Sequence, residues 1–216
     1  MSQPLHNYTR AKKSTSRHLC AIFFITSLFL STASFSQEKS ETIQFEIQVL
    51  GLKIGDLNVR KYEEGDTLHY LAQSRVKFWF FGNVDVDVST HSKYVGGYFV
   101  KSRSTSKSNR GDFATDIHWD GSKYVVDAKS YKFENREPVE GLVEWCSART
   151  FFEELQEGKR LISEVYGLAT TIGKMDAGAY RTEISGNENQ YFYQDGSLQR
   201  VILENSIKNF QYKRIK

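Results

Sequence analysis

Between residues 42 and 49 the chain alternates without exception: Ile43, Phe45, Ile47 and Val49 are apolar, and Gln44, Glu46 and Gln48 between them are polar. A period of two sends one set of side chains into a core and the other into water, so these residues read as a half-buried β-strand and not as a helix. The rhythm recurs. After a break at Gly51, Ile54, Leu57 and Val59 stand among Lys53, Asp56, Asn58 and Arg60, and the slip in phase predicts a bulge or bend near residues 51–55. Glu64-Gly65-Asp66 predicts a turn into residues 68–81, beyond which Val84, Val86 and Val88 alternate with Asn83, Asp85 and Asp87. Gly96-Gly97 breaks the following segment, residues 94–106, and residues 109–112 make another turn. Asp120-Gly121 lies between Ile117-His118-Trp119 and Tyr124-Val125-Val126, which predicts a type I′ hairpin turn with positive φ at both central residues.

The texture changes over residues 134–160. Pro138 is the only proline beyond residue 4, and after it Trp145, Ala148, Phe152 and Leu155 recur at three- and four-residue spacing, with Glu153, Glu154, Gln156 and Glu157 between them. That spacing predicts a short amphipathic helix of about 8 to 12 residues ending at Gly158. Strand patterning resumes at residues 161–166, 168–175, 179–184, 190–194 and 198–203, with turns at Gly186-Asn187 and Asp195-Gly196, and Ile207, Phe210 and Tyr212 come last. The expected fold class is mainly β: an antiparallel curved sheet or barrel-like meander with one short helix, preceded by an N-terminal signal helix. Eleven Phe, eleven Tyr and three Trp fall beyond residue 36. Such rings suit a concave sheet wrapped around an aromatic or helical plug, and they are also ordinary filling for a β core.

Arg10, Lys12, Lys13 and Arg17, with no acid among them, precede an apolar run at residues 19–30 broken by Thr26 and Ser27, and Ser31-Thr32-Ala33-Ser34-Phe35-Ser36 follows. Basic, apolar and small-residue regions in that order predict a secretory signal peptide over residues 1–36, cleaved after Ser36, with residues 37–216 a single β-rich domain exported to the periplasm or cell envelope. The alternative is an uncleaved anchor, but the stretch extended to Phe35 carries several hydroxyls and falls short of the roughly 20 apolar residues a spanning helix needs. Membrane contact is expected only through this segment. Without it, 25 basic residues face 26 acidic ones, a formal charge of −1. The case for nucleic-acid binding goes with the leader, since such binding wants clustered basic surface. The four cations in residues 101–110 predict a solvated strand end or loop. Beyond Cys20 only Cys146 remains, so a packed core and not a disulfide must stabilise the domain.

The sequence holds no Gly-x-Ser-x-Gly elbow, no Walker loop and no Gly-x-Gly-x-x-Gly fingerprint, and no catalytic or cofactor-binding residue is assigned. Cys146 would need a neighbouring base to act as a nucleophile, and no spacing pairs it with His69, His91 or His118, so a buried thiol is expected. Asp116, His118 and Asp120 share one strand face and are plausible metal ligands, as are Asp85 and Asp87 on another. Alternation with Ile117 and Trp119, or with the valines, makes these the wet faces of strands, and no metal site is assigned. Phe78-Trp79-Phe80-Phe81 is the sharpest departure from alternation, because four aromatics in a row put bulky groups on both strand faces. If one pair enters the core, the other meets a covering layer, a cavity, a partner or a membrane surface. Phe78, Trp79, Phe80 and Phe81, together with Trp145, are therefore the candidate ligand-binding residues.

A strand opening into Gly51-Leu52-Lys53-Ile54-Gly55-Asp56, a hairpin meander, Glu164-Val165-Tyr166-Gly167 and a closing Tyr191-Phe192-Tyr193-Gln194-Asp195-Gly196-Ser197-Leu198 resemble the secreted domain-of-unknown-function proteins of Gram-negative bacteria. The resemblance spans nearly all of the chain beyond the leader and transfers no catalytic residue. More loosely, a curved sheet with a helix is similar to the periplasmic half-barrel lipoprotein carriers, which hold acyl chains in an apolar hollow. The function expected is that of a noncatalytic, exported envelope protein binding an apolar, lipid-like small molecule or an envelope protein. An interaction or scaffolding module without a cavity, and a metal-assisted enzyme centred on Asp116, His118 and Asp120, are the alternatives.

Overall fold

Strand pairing accounts for most of the chain in the computed structural model, which describes residues 39–78, 83–109, 111–130, 133–204 and 208–215. The leader, the helix expected within it and Trp79, Phe80 and Phe81 lie outside the described residues. Nine strands come first: β1 (Ser40–Val49), β2 (Leu52–Glu64), β3 (Thr67–Phe78), β4 (Val84–Val95), β5 (Tyr98–Ser108), β6 (Gly111–Trp119), β7 (Lys123–Ser130), β8 (Phe133–Asn135) and β9 (Val139–Glu140). An inserted segment carries β10 (Trp145–Cys146), a 3-10 turn at Arg149–Phe151, β11 (Arg160–Ile162) and β12 (Ala169–Thr171). The last five strands are β13 (Gly173–Asp176), β14 (Ala179–Ile184), β15 (Asn187–Gln194), β16 (Ser197–Leu203) and β17 (Phe210–Arg214).

Among the described residues fourteen strands form one antiparallel sheet in the order β13-β14-β15-β16-β17-β1-β2-β3-β4-β5-β6-β7-β8, with β9 also on β7. Apart from β9 on β7, each neighbour pair but one joins consecutive strands. The exception is β17 against β1, where Phe45 faces Arg214 and Val49 faces Phe210. β10, β11 and β12 make a small separate sheet.

The small sheet packs on one face of the large one and divides the core into two clusters. Ile43, Phe45 and Ile47 of β1, Leu57 and Val59 of β2, and Tyr191, Leu198 and Val201 of β15 and β16 meet Trp145, Phe151, Leu155 and Leu161 of the insertion. Tyr70, Tyr94, Phe99, Ile117 and Tyr124 of β3 to β7 meet Val143, Cys146, Ala148 and Ile162. The sheet thus bears on both sides of one plug. Valines 84, 86 and 88 are half-buried on β4, whose inner face passes to Thr90, Ser92 and Tyr94 further along.

The turns follow from glycine placement, with one correction. Leu50-Gly51, Ser185-Gly186 and Asp195-Gly196 each have positive φ at both residues, the type I′ pattern. Asp120-Gly121 does not: Gly121 alone has positive φ, and Asp120 pairs back to Lys123, as in a type II′ turn with glycine first. The Asp120 carboxylate accepts from the backbone N–H groups of Ser122 and Lys123 and from the Ser122 hydroxyl, which selects this turn over the expected one. The phase slip in β2 is a register shift opposite Ile47 and Gln48. Gly55, beside it, lies so close to the Arg75 carbonyl oxygen of β3 that a Cβ would collide with backbone.

The predicted helix is absent. Over residues 145–158 the chain forms β10 and the single 3-10 turn. The acids that helical spacing assigned to a wet face are held by the sheet instead: Tyr70 donates to Glu153 and Tyr180 donates to Glu154. A segment gripped from several sides gains more from those partners than from continuing a helix. The basic run is likewise no loop. Residues 101–108 lie in β5, an interior strand with Lys101, Arg103 and Lys107 outward and Ser102 and Ser104 buried inward.

Candidate functional site

The plug is fixed by a loop whose sequence is Ser163-Glu164-Val165-Tyr166-Gly167. Gly167 has a φ of 62°, donates its N–H to the Ser163 carbonyl at 2.8 Å and presses on Val126 where a Cβ would not fit. The tight turn drives Glu164 inward to 1% exposure. There Oε1 accepts from the Ser92 hydroxyl and the Ala148 N–H, each at 3.0 Å, and Oε2 accepts from the Ser147 N–H at 2.8 Å. One carboxylate therefore joins β4 to two segments of the plug.

Hydroxyls surround this acid. Thr90 and Ser92 of β4, Ser102 and Ser104 of β5 and Thr115 of β6 are all buried on the inner face. Thr90 and Ser104 hydrogen-bond at 2.9 Å, and Thr115 donates to the Val165 carbonyl at 2.8 Å. The Tyr94 hydroxyl meets the Cys146 thiol, and the Ser102 hydroxyl is buried with no partner among the described residues. Sequence reasoning missed this row, because alternation was sought between apolar and polar residues. In β5 it runs between cations and serines, a period of two written in hydroxyls.

A cavity of about 350 Å³ lies between sheet and plug with Glu164 in its wall. Volumes of roughly 300–1,000 Å³ are usual for small-molecule sites. Leu57, Ala72, Val88, Ile184, Val201 and Leu203 give apolar walls, and the rings of Phe151, Tyr166, Tyr191, Phe210 and Tyr212 join them. Asn187, Asn189 and the exposed Glu204 mark the end near the β14–β15 turn. The antiparallel order brings the end of β3 at Phe78 and the start of β4 at Val84 to that same end of the sheet. Burial pushes the phenol of Tyr191 up to about 12, beyond what the opposing Thr182 hydroxyl offsets, and it pushes Tyr212 up to about 12 as well. Both line the cavity as neutral phenols at ordinary pH.

The candidates from sequence are scattered. The backbone of Phe78 pairs with Val84 at the end of β3. Trp145 is buried in the core, 2% exposed, under the Arg149 guanidinium at 4.7 Å, and it is not among the described residues lining the cavity. Asp116 is paired to Arg103 through both oxygens, Asp120 is engaged in its turn with its carboxyl held down at about 2 by backbone and hydroxyl donors, and His118 is exposed. Asp85 and Asp87 pair with Lys77 and Arg75 across the strands. Among the described residues no group of three or more His, Cys, Asp or Glu side chains is placed to hold a metal ion. Burial, then the nearby Glu164 charge, drives the Cys146 thiol well above its ordinary range, the opposite of an activated nucleophile. His69 and His91 face each other at 2.9 Å on the outer side of the sheet, with Tyr62 stacked on His69.

Fold and site define a large antiparallel β-sheet protein with an internal plug and a cavity between the two. The chain belongs to the DUF6134 family, a domain of unknown function, which it matches over residues 45–215. A crystal structure of a β-barrel-like protein of domain of unknown function DUF1849 from Brucella abortus is similar at 16% sequence identity and a TM-score of 0.48, with 81% of this chain and 95% of that chain covered. No curated protein matches the chain.

Proposed function

We propose that the protein is a noncatalytic binding protein of the cell envelope, exported by its leader, that holds a small apolar-bodied molecule between sheet and plug. The observation that carries this function is the cavity of about 350 Å³, walled by aliphatic and aromatic side chains and polar at Glu164. Burial of ligand surface at about 25 cal/mol per Å² gives useful affinity without a reactive group. The aromatic run at residues 78–81 is compatible with the same function, because the strands it joins end at the same end of the sheet as the polar rim of the cavity. Asp116 and Asp120 are engaged by Arg103 and by a turn, which leaves the metal-assisted alternative little to build on.

Titration of the full chain with N-phenyl-1-naphthylamine, an uncharged apolar fluorophore, tests the cavity. Saturable enhancement that is lost in Val88→Trp and Leu203→Trp, with folding retained by circular dichroism, is expected. Enhancement unchanged in both variants, or none in the parent, would overturn the function. Native mass spectrometry of protein taken from its own compartment then reads the mass of the natural ligand, and localisation of the processed chain by fractionation tests export.

A further inference from the structure

Glu164 is a buried carboxylate without a counter-charge. Its partners, the Ser92 hydroxyl, two backbone N–H groups and the Cys146 thiol, are all neutral, and among the described residues no cation forms an ion pair with it. Two partly buried acids of the domain are matched by cations: Glu153 has Arg149 at 2.6 Å and Glu144 has Lys159 at 3.0 Å. Charges withdrawn from water are ordinarily paired, since desolvation is otherwise uncompensated. A carboxylate offers about four acceptor positions. Four neutral donors meet those positions, so its hydrogen bonds are satisfied while its charge is not balanced.

The rest of the cavity points the same way. Its described lining residues include a second carboxylate, Glu204, and no Lys, Arg or His. Five aromatic rings stand in the same wall, and the faces of such rings attract cations. A head group carrying negative charge would meet like charges and no cationic donor.

From this arrangement we infer that the ligand carries a cationic amine head and that Glu164 is its counter-ion. The inference rests on the cavity being a binding site and names the chemistry that site selects. An ammonium in the cavity lies against the Glu164 carboxylate in the wall that Thr90 and Thr150 share, and leaves its apolar body among the aliphatic and aromatic side chains. Fatty acids and phosphate-headed lipids are selected against.

Three probes of equal chain length separate the outcomes on the full chain at pH 7: hexylamine, hexanol and hexanoate, each competed against N-phenyl-1-naphthylamine. Hexylamine is expected to displace the fluorophore at concentrations at least about tenfold below those hexanol requires, a factor that one desolvated charge pair readily supplies, with hexanoate weakest. Glu164→Gln is expected to erase the advantage of hexylamine while hexanol competes as before, which also shows that the variant is folded. Glu204→Gln should leave the order intact. Equal competition by the three probes, or a lead for hexanol or hexanoate, overturns the amine head while the cavity stands as a binding site. An advantage that survives Glu164→Gln and disappears in Glu204→Gln overturns the assignment to Glu164. If no probe competes and the fluorophore itself does not bind, the binding site falls too. Should Glu164→Gln not fold, the order of the probes on the parent protein decides.

Discussion

The Tyr70 hydroxyl donates to Glu153 at 2.7 Å, joining residues 83 positions apart and tying the middle of the sheet to the plug. Glu153 also receives Arg149 through two nitrogens, at 2.6 and 3.0 Å. Burial alone would raise the Glu153 carboxyl, but the hydrogen bonds from Arg149 and Tyr70 outweigh it and hold the group below its usual range. Tyr70→Phe should lower unfolding stability by about 1.5–3 kcal/mol, the range for hydrogen bonds to charged groups, read from urea denaturation. A carboxyl with a depressed folded value stabilises above its ordinary pKa near 4.5, and that stabilisation is lost as pH falls through the folded value. The acid limb of the stability profile should therefore move to higher pH in Tyr70→Phe, where one of the donors has gone.

A second pH response comes from the outer face. Burial, followed by the neighbouring His69 and Lys93, lowers His91 below its ordinary 6.5, while Glu64 acts in the opposite sense. The unfolded chain then binds a proton that the folded chain refuses, so stability falls as pH drops below about 6.5 and levels off beneath the folded value. Imidazole resonances should place the His91 midpoint under 6.5. His91→Gln should flatten the slope between pH 6.5 and that midpoint, and an unchanged slope would remove His91 as its source.

Gly55 is irreplaceable on steric grounds. Gly55→Ala would force a methyl against the Arg75 carbonyl, where β2 and β3 are paired backbone to backbone. Loss of about 1–3 kcal/mol is expected, as for other overpacked positions. Gly65→Ala serves as the comparison: its φ is 62°, but the space around it is open, so only the backbone preference of about 1 kcal/mol is lost.

Cys146 should be inert. It is fully buried, with its thiol held protonated by burial and by Glu164. In a Cys20→Ser background, reaction with an aromatic disulfide reagent should proceed no faster than unfolding, as judged by comparing labelling rates with and without urea. Rapid labelling in native buffer would contradict the packing of β10 against β5.

Alternation made β1, the first strands after it and most hairpins legible, because a strand with one wet face writes its burial into every second residue. Residues 145–158 were misread for a physical reason: Trp145, Ala148 and Leu155 are buried as their spacing indicates, but the acids between them meet tyrosines of the sheet and not water. Sequence periodicity cannot see a second layer. β5 shows the complementary limit, since Ser102 and Ser104 face inward without being apolar. The site residue Glu164 was present as part of Glu-x-x-Gly, yet its depth depends on Gly167 reaching Val126 from another strand, a contact between residues 41 positions apart that no local pattern encodes.

The pairing of β17 with β1 has a kinetic side. As the polypeptide leaves the ribosome, β2 can zip onto one margin of β1 at once, and each later hairpin through β8 adds to that growing ribbon. The opposite margin of β1 has no mate until residues 210–214 are made, so a nascent chain carries an unsheltered, ribbon-extending border while residues 50–209 are synthesised. Holding such a border apart from its neighbours is work for a chaperone. Clipping the final strand would recreate it permanently, in the interior of the finished sheet and not at its fringe.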